Sequence, residues 1–337
     1  MILVNWNGWR DTVECIDSLL AQHYRAFHIF VVDNDSQDGS VEQILAWCRN
    51  PLPAGGWRHY EGVDRWTDLR PAEPIACQAT DNPVTTRLAA CRVTVIRSGG
   101  NLGFAGGCNV AIRAAITEDF SFFWLLNTDT VVHREALYEL VQRALRDQTI
   151  GMVGSTIRYY DRPDVVQSLG GGGLEFATVT SRLIGTGDDV AAIPQDGTAV
   201  ERDMVYVMGA SMLVSSQFVR DIGLLQEDYF LYYEEIDWAL RARGRFKLGY
   251  APASHVFHKS GASSFKVMPL FTARLYYRNR IRFVTRFFPD RLNAAKRGLA
   301  VDLVRHVLKG RWGNARVVGA ALWNANNTAA QTRSGQC

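Results

Sequence analysis

Residues 121–130 read Ser-Phe-Phe-Trp-Leu-Leu-Asn-Thr-Asp-Thr. An apolar run this short, without polar alternation, predicts a strand covered on both faces. It stops abruptly at the polar triplet Asn127-Thr128-Asp129. The same grammar recurs upstream. Ile2 to Asn5 is a short buried run that opens into Asn5-Trp6-Asn7. Phe27 to Val32 is β-branched and aromatic and ends at Asp33-Asn34-Asp35. Val93 to Ile96 precedes the glycine-rich GGNLGFAGGCN. Helical spacing fills the gaps: Trp9 to Gln22, with Val13, Ile16, Leu19 and Leu20 on one face, then Val41 to Cys48, Asn109 to Ile116 and Arg134 to Asp147. Strands alternating with helices predict an α/β fold with helices on both faces of a mainly parallel central sheet. In such a sheet the ligand crevice lies beyond the carboxyl ends of the strands. The polar clusters stand there.

Two stretches interrupt the pattern. Residues 51–90 carry Pro51, Pro53, Pro71, Pro74 and Pro83 with little periodicity, which predicts an irregular insertion. Residues 168–200, with Gly170 to Gly173 and alternating Thr, Val and Leu, predict a β-hairpin. The end of the chain differs again. From Arg274 to Arg316 there are twelve Lys or Arg against two acids, interleaved with Tyr276, Tyr277, Phe283, Phe287 and Phe288. A helical C-terminal region over 266–337 is therefore expected beyond a catalytic domain over 1–265. A basic, aromatic-rich helix suits an anionic membrane surface, here through residues 274–316. The alternative is a brace whose arginines face acids elsewhere in the chain.

Composition removes several classes. Lys plus Arg number 37 against 34 Asp plus Glu, so neither a strongly basic nucleic-acid binder nor an acidic disordered tail is expected. Six cysteines contain no C-x-x-C pair, against a zinc ribbon or thioredoxin motif and in keeping with a reducing compartment. No apolar run approaches a membrane span of about 18 residues, and Met1-Ile-Leu-Val passes directly into polar residues. A cytoplasmic protein without a secretory signal, at most peripheral at the inner face of the plasma membrane, is the expectation.

The clusters carry chemistry. Asp129 at a strand end, with Asn127 two residues earlier, suits Mg²⁺ or Mn²⁺ holding a diphosphate; the alternative is a helix N-cap. Asp33 and its polar loop suit a pyrimidine edge and ribose, or only a turn held by Asx hydrogen bonds. Five glycines between Gly99 and Gly107 permit backbone approach to phosphate or sugar. That segment lacks the Gly-Lys-Ser/Thr of a P-loop and the dinucleotide-binding spacing. In YFLYYEEIDWALR (229–241), Glu234, Glu235 and Asp237 cannot all be comfortable as buried anions, so either some face water or one has a shifted pKa. A carboxylate held beside an acceptor hydroxyl suits a general base. The flanking aromatics predict the walls of a sugar pocket; the alternative is acids favouring a helix dipole. His255 and His258 face opposite sides of a strand, so one of them serves the site.

Seven pieces, in order over residues 2–261, resemble the family-two glycosyltransferases of GT-A type, especially the rhamnosyltransferase-like branch. They are ILVNWNG, VVDNDSQDGS, GNLGFAGGCNVAI, WLLNTDT, MGASMLV, FLYYEEIDWALR and HVFHKSG. The resemblance implies an inverting transferase dependent on Mg²⁺ or Mn²⁺. It would move a sugar from a dTDP or UDP donor, L-rhamnose from dTDP-rhamnose being favoured, to a hydroxyl of a glycan or lipid-linked acceptor in surface-polysaccharide synthesis. It implies that Asp33 meets the base and that Asn5, Asn7, Asn34, Asn101, Gly103, Phe104, Asn109 and Asn127 line the nucleotide-sugar pocket. Asp129, last in a degenerate D-x-D, would bind the metal with His258. Glu235 stands where many relatives carry an aspartate base, with Asp237 as second choice. The first strand begins almost at Met1, so either the native start lies upstream or the strand is short. Two other readings remain at this stage. A sugar-nucleotide nucleotidyltransferase would want a glycine-rich, basic loop where NWNGWRD stands. A non-catalytic nucleotide-sugar-binding protein would have no need of the acids and histidine.

Overall fold

The computed structural model describes residues 1–51, 73–81, 91–259 and 269–334. The amino-terminal half builds a parallel sheet from β1 (Ile2–Asn5), β2 (Ile29–Asp33), β3 (Cys77–Thr80), β4 (Val93–Arg97) and β5 (Phe122–Leu126), in the order β3-β4-β2-β1-β5. Its helices are α1 (Trp9–Leu20), α2 (Ser40–Arg49) and α3 (Gly103–Ala115). The sheet continues through β6 (Thr130–Val132), β7 (Ile150–Tyr159), β8 (Val166–Leu169), β12 (Ser211–Ser215) and β13 (Lys247–His258), as β5-β12-β7-β13-β6 with β8 on β7. Here β12 runs antiparallel to both neighbours, while β7 and β13 are parallel.

Side chains alternate between the faces as strand geometry requires. Leu3, Val31, Trp124 and Leu126 pack under α1, α2 and α4 (Ala136–Arg146). Ile2, Phe30, Val32 and Leu125 pack under α3. The hairpin expected over 168–200 is present: β9 (Gly171–Glu175) and β10 (Thr180–Leu183) pair antiparallel, and β11 (Tyr206–Val207) completes a small second sheet.

Two readings change. The proline-rich stretch contains a strand, β3, parallel to β4; most of the remaining insertion lies outside the described residues. The glycine segment is not a cradle ahead of a helix at Asn109, because α3 already begins at Gly103. A Cβ at Gly107 would stand 2.7 Å from Val4 Cγ1, so that glycine lets helix and strand approach closely. The C-terminal region is helical, as α8 (Leu270–Phe287), α9 (Leu292–Leu308) and α10 (Trp312–Ser334). Phe283 and Val284 are fully buried in the core shared with Tyr229, Tyr233 and Trp238. The expected boundary at residue 265 lies outside the described residues. The remaining helices are α5 (Thr198–Asp203), α6 (Ser216–Ile222) and α7 (Glu234–Arg241).

Candidate active site

Asn5 and Asp33 are register partners at the ends of β1 and β2, and Arg97 pairs with Asp33 at the end of β4. A cavity of about 370 Å³ opens beyond them, lined by Asp33, Asp35, Ser36, Arg97, Ser98 and Gly99. Its floor is a closed hydrogen-bond network. Asn5 Nδ2 donates to Asp33 Oδ1 (2.8 Å) and Ser36 Oγ (3.1 Å), and Thr12 Oγ1 donates to Asn5 Oδ1 (2.8 Å). The Ser36 amide donates to Asp33 Oδ2 at 3.0 Å. Asn5 is fully buried, so it orients Asp33 and does not itself face the cavity. Asn7, at a positive φ of 50°, accepts the Gln37 amide and shapes the same loop.

Asn34 and Asn101 secure the start of α3. Asn34 Nδ2 donates to Gly103 O (2.8 Å), and Asn101 Oδ1 accepts the Gly103 amide (3.1 Å). Gly103 has φ +70°, and a Cβ there would lie 2.4 Å from Phe230 O, while the Phe104 amide donates to that carbonyl at 2.8 Å. Only glycine fits so close an approach. Asn109 is turned into the protein. It is fully buried, and its amide holds Leu225 O (2.9 Å) and Glu227 Oε1 (2.8 Å). Its expected donor contact therefore gives way to an internal tie.

Asp129 and His258 come together across the β6–β13 pair, with Oδ1 and Nε2 3.2 Å apart and Asn127 Nδ2 3.4 Å from the same nitrogen. Gln167 Oε1 lies 2.9 Å from His258 Nδ1. With the proton on Nδ1, the Nε2 lone pair points at Asp129. Two donors on neighbouring vertices of an octahedron, with bonds of about 2.1 Å, lie about 3 Å apart, so the spacing of this pair fits a divalent cation. Among the described residues no closed cluster of three or more His, Cys, Asp or Glu surrounds a metal position. His255 faces the other way, against His133, with ring centroids 6.1 Å apart.

The turn Met208-Gly209-Ala210 joins this pair to the acids. Ala210 O accepts the Asn127 amide at 3.1 Å, and a Cβ on Gly209 would stand 3.9 Å from Phe104 and 4.0 Å from Glu235 Cγ. Glu235 is half-buried as a residue, but its Oε2 is enclosed and has no hydrogen-bond partner. Burial raises its pKa to about 7, against backbone N–H groups at the start of α7 that favour the anion. Burial, then the charge of Glu235, pushes Glu234 well up too.

Asp237 lies elsewhere. Two positions along a helix rotate a side chain by about 200°, away from Glu235. It is fully buried, held by Arg241 Nε (2.7 Å), Arg286 (2.9 Å) and the Tyr229 hydroxyl (3.1 Å). No acceptor hydroxyl reaches it.

The aromatic wall is also reassigned. Tyr233 packs on Tyr276 and Phe283 of α8, at centroid distances of 5.6 and 5.3 Å, and Tyr229 is buried, so these rings fasten the turn to the C-terminal helix and do not enclose a sugar. Phe230, Tyr232 and Tyr233 all hold positive φ (65°, 68° and 76°) immediately before Glu234. Each such non-glycine residue costs on the order of 1–3 kcal/mol and persists only where its surroundings over-determine it. The sequence reading did not single out Gln167, Tyr206 (which feels the Glu235 charge), Asn279 or Arg286. Asn279 and Arg280 did leave a signal, as polar residues on the apolar stripe of α8.

The sequence model of the family described as Glycosyl transferase family 2 matches residues 1–58 and 78–179. The low-salt glycan biosynthesis hexosyltransferase Agl10 of Haloferax volcanii is 26% identical over 187 residues, 55% of this chain and 58% of that protein. The chain thus spans less than two thirds of that relative's length. Among solved structures, the mannosyltransferase PcManGT from Pyrobaculum calidifontis, in complex with GDP-Man and Mn²⁺, is similar with a TM-score of 0.52 at 15% identity, covering 99% of this chain and 78% of that one. That similarity shows the fold. With the ordered motifs, the strand-end clusters and this architecture in agreement, the chain is similar to glycosyl transferase family 2 over residues 1–58 and 78–179 and has a GT-A fold.

Proposed function

We propose that this chain is an inverting glycosyltransferase that uses a nucleotide-diphosphate sugar. One observation supports the reading: the Met208–Ala210 turn bonds the Asn127 amide, beside the Asp129–His258 pair, through Ala210 O at 3.1 Å and passes Glu235 at Gly209, where a Cβ would stand 4.0 Å from Glu235 Cγ. Glu235 takes the proton of the acceptor hydroxyl as that oxygen attacks the anomeric carbon from the face opposite the leaving diphosphate. A single displacement then inverts the centre, and Glu235 needs no covalent partner. A divalent cation held by Asp129 and His258 would supply charge neutralisation at the leaving diphosphate. Asp33, its carboxylate already fixed by Asn5 and Ser36, presents a rigid acceptor edge for a pyrimidine.

The favoured donor is dTDP-L-rhamnose, with UDP sugars next, and the acceptor a hydroxyl of a glycan or lipid-linked glycan. The hexosyltransferase relative and the GDP-Man-bound neighbour support a hexose donor class. Thermal shifts with dTDP-rhamnose, UDP sugars and GDP-mannose, each with Mn²⁺, test the donor. Release of nucleoside diphosphate on adding acceptor supports transfer, whereas pyrophosphate release from a triphosphate would establish a nucleotidyltransferase instead.

Peripheral membrane contact belongs to the same proposal, in narrower form than the charge count predicts. Arg280 reaches Thr178 O and Asp302, Arg282 reaches Asp228 O and Arg286 reaches Asp237, so part of the basic stretch braces the fold. No helix among the described residues is long and apolar enough to cross a membrane. What favours a surface is α9: Val301, Val304 and Leu308 (48%, 55% and 81% exposed) recur at helical spacing, with Arg297, Arg305 and Lys309 exposed around them. Full-length protein is expected to sediment with anionic vesicles at low salt. Salt and the double change Val304→Asp, Leu308→Asp should each release it. Protein that stays in the supernatant at low salt ends the membrane proposal.

A further inference from the structure

We propose that Asn279, on α8, is a positioning residue for Glu235, holding in place the strained turn that leads into α7. The inference rests on Glu235 being the base and adds to it an element outside the residues that the family model matches. The turn from Tyr229 to Tyr233 contains the three positive-φ residues, and its carbonyls converge on one point. There stands the amide of Asn279, fully buried, with Nδ2 2.7 Å from Tyr229 O, 2.8 Å from Leu231 O and 3.0 Å from Tyr232 O. An NH₂ group has two hydrogens, so three acceptors share them, and the three peptide planes are fixed relative to one point on α8. Arg278 adds longer bonds to Asp228 O and Tyr229 O, both 3.3 Å.

Asn279 and Arg280 are the two polar residues among those buried on α8. Ala273, Tyr277, Phe283 and Val284 are buried on α8, where a leucine would pack and leave the carbonyls unmet. The other side of the turn is fixed as well, since Phe230 O accepts the Phe104 amide. Glu235 follows the turn by two residues, so its carboxyl position inherits whatever tilt the turn has. Small misplacements of a reacting group are expensive in rate while leaving donor contacts alone.

The test compares wild-type protein with Asn279→Ala and Asn279→Ser in steady-state transfer and in amide hydrogen exchange. Asn279→Ala is expected to lower kcat at least about tenfold and to leave the KM for donor within about twofold. Exchange should quicken over residues 229–236 and stay unchanged in β1, β2 and β5. Asn279→Ser, which keeps one donor, should fall between, and it serves for both measurements if the alanine variant does not fold. An unchanged kcat, or a loss of donor binding together with faster exchange throughout the sheet, overturns the proposal. If Glu235→Gln retains full activity, the base assignment fails on its own, and the exchange measurement still decides whether Asn279 holds the turn.

Discussion

Glu235→Gln is expected to lose transfer by about 10²–10⁴-fold while binding donor as before, because the amide keeps the shape and cannot take a proton. The same change should act on stability in the opposite sense. Burial raises the folded-state pKa from 4.5 to about 7, so the fold favours the protonated form. The stabilising contribution is therefore complete below pH 4.5 and is lost as pH rises through 7. At pH 8 the glutamine variant should be the more stable protein, by on the order of 1–3 kcal/mol, and near pH 4 the two should melt together. Wild-type transfer should rise with pH through about 7, as the base ionises. Near-wild-type activity in Glu235→Gln would remove the base assignment. Asp237→Asn makes the contrast, since breaking its bonds to Arg241, Arg286 and Tyr229 should show first as a lower Tm.

Asp129→Ala is expected to abolish Mn²⁺-dependent donor binding and to leave the fold intact. The side chain is 27% exposed and follows the buried strand β5, so no core contact goes with it. Calorimetric titration with Mn²⁺ in the presence of nucleoside diphosphate reads the effect directly. Unchanged affinity would reduce Asp129 to a partner of His258. Gln167→Ala should show a weaker form of the same loss, about 10–100-fold, because the histidine keeps its lone pair but loses the group that aims it.

Much of this was legible in the residues. Strands that end in Asn5, Asp33 and Asn127 announce a crevice at their carboxyl ends, because buried apolar runs must stop where the sheet meets solvent. The three carboxyls in Tyr229–Arg241 left a choice between exposure and a shifted pKa, and burial pushes both Glu234 and Glu235 up. What a linear reading could not supply was direction. Asn109 and Asp237 are of the right chemical type, but each spends its side chain inward on partners far away in sequence, Leu225 and Glu227 for one and Arg286 for the other. The tyrosines before Glu234 looked like pocket walls because nothing in the local pattern shows that α8 lies behind them. The basic stretch carried two roles in one composition. Arg280 and Arg286 point into the protein, while Arg297 and Lys309 point out.

The sheet order has a consequence for how the molecule comes into being. β12 is made nearly ninety residues after β5, yet it occupies the seam between β5 and β7 and supplies five register partners to β5. Until Ser215 has been synthesised, the Phe122–Leu126 strand keeps a bare edge whose backbone groups are ready to pair with another chain. A fragment ended at residue 179, where the family match stops, keeps that edge for good and invites aggregation. In the finished sheet that edge is closed by a late strand lying between two earlier ones.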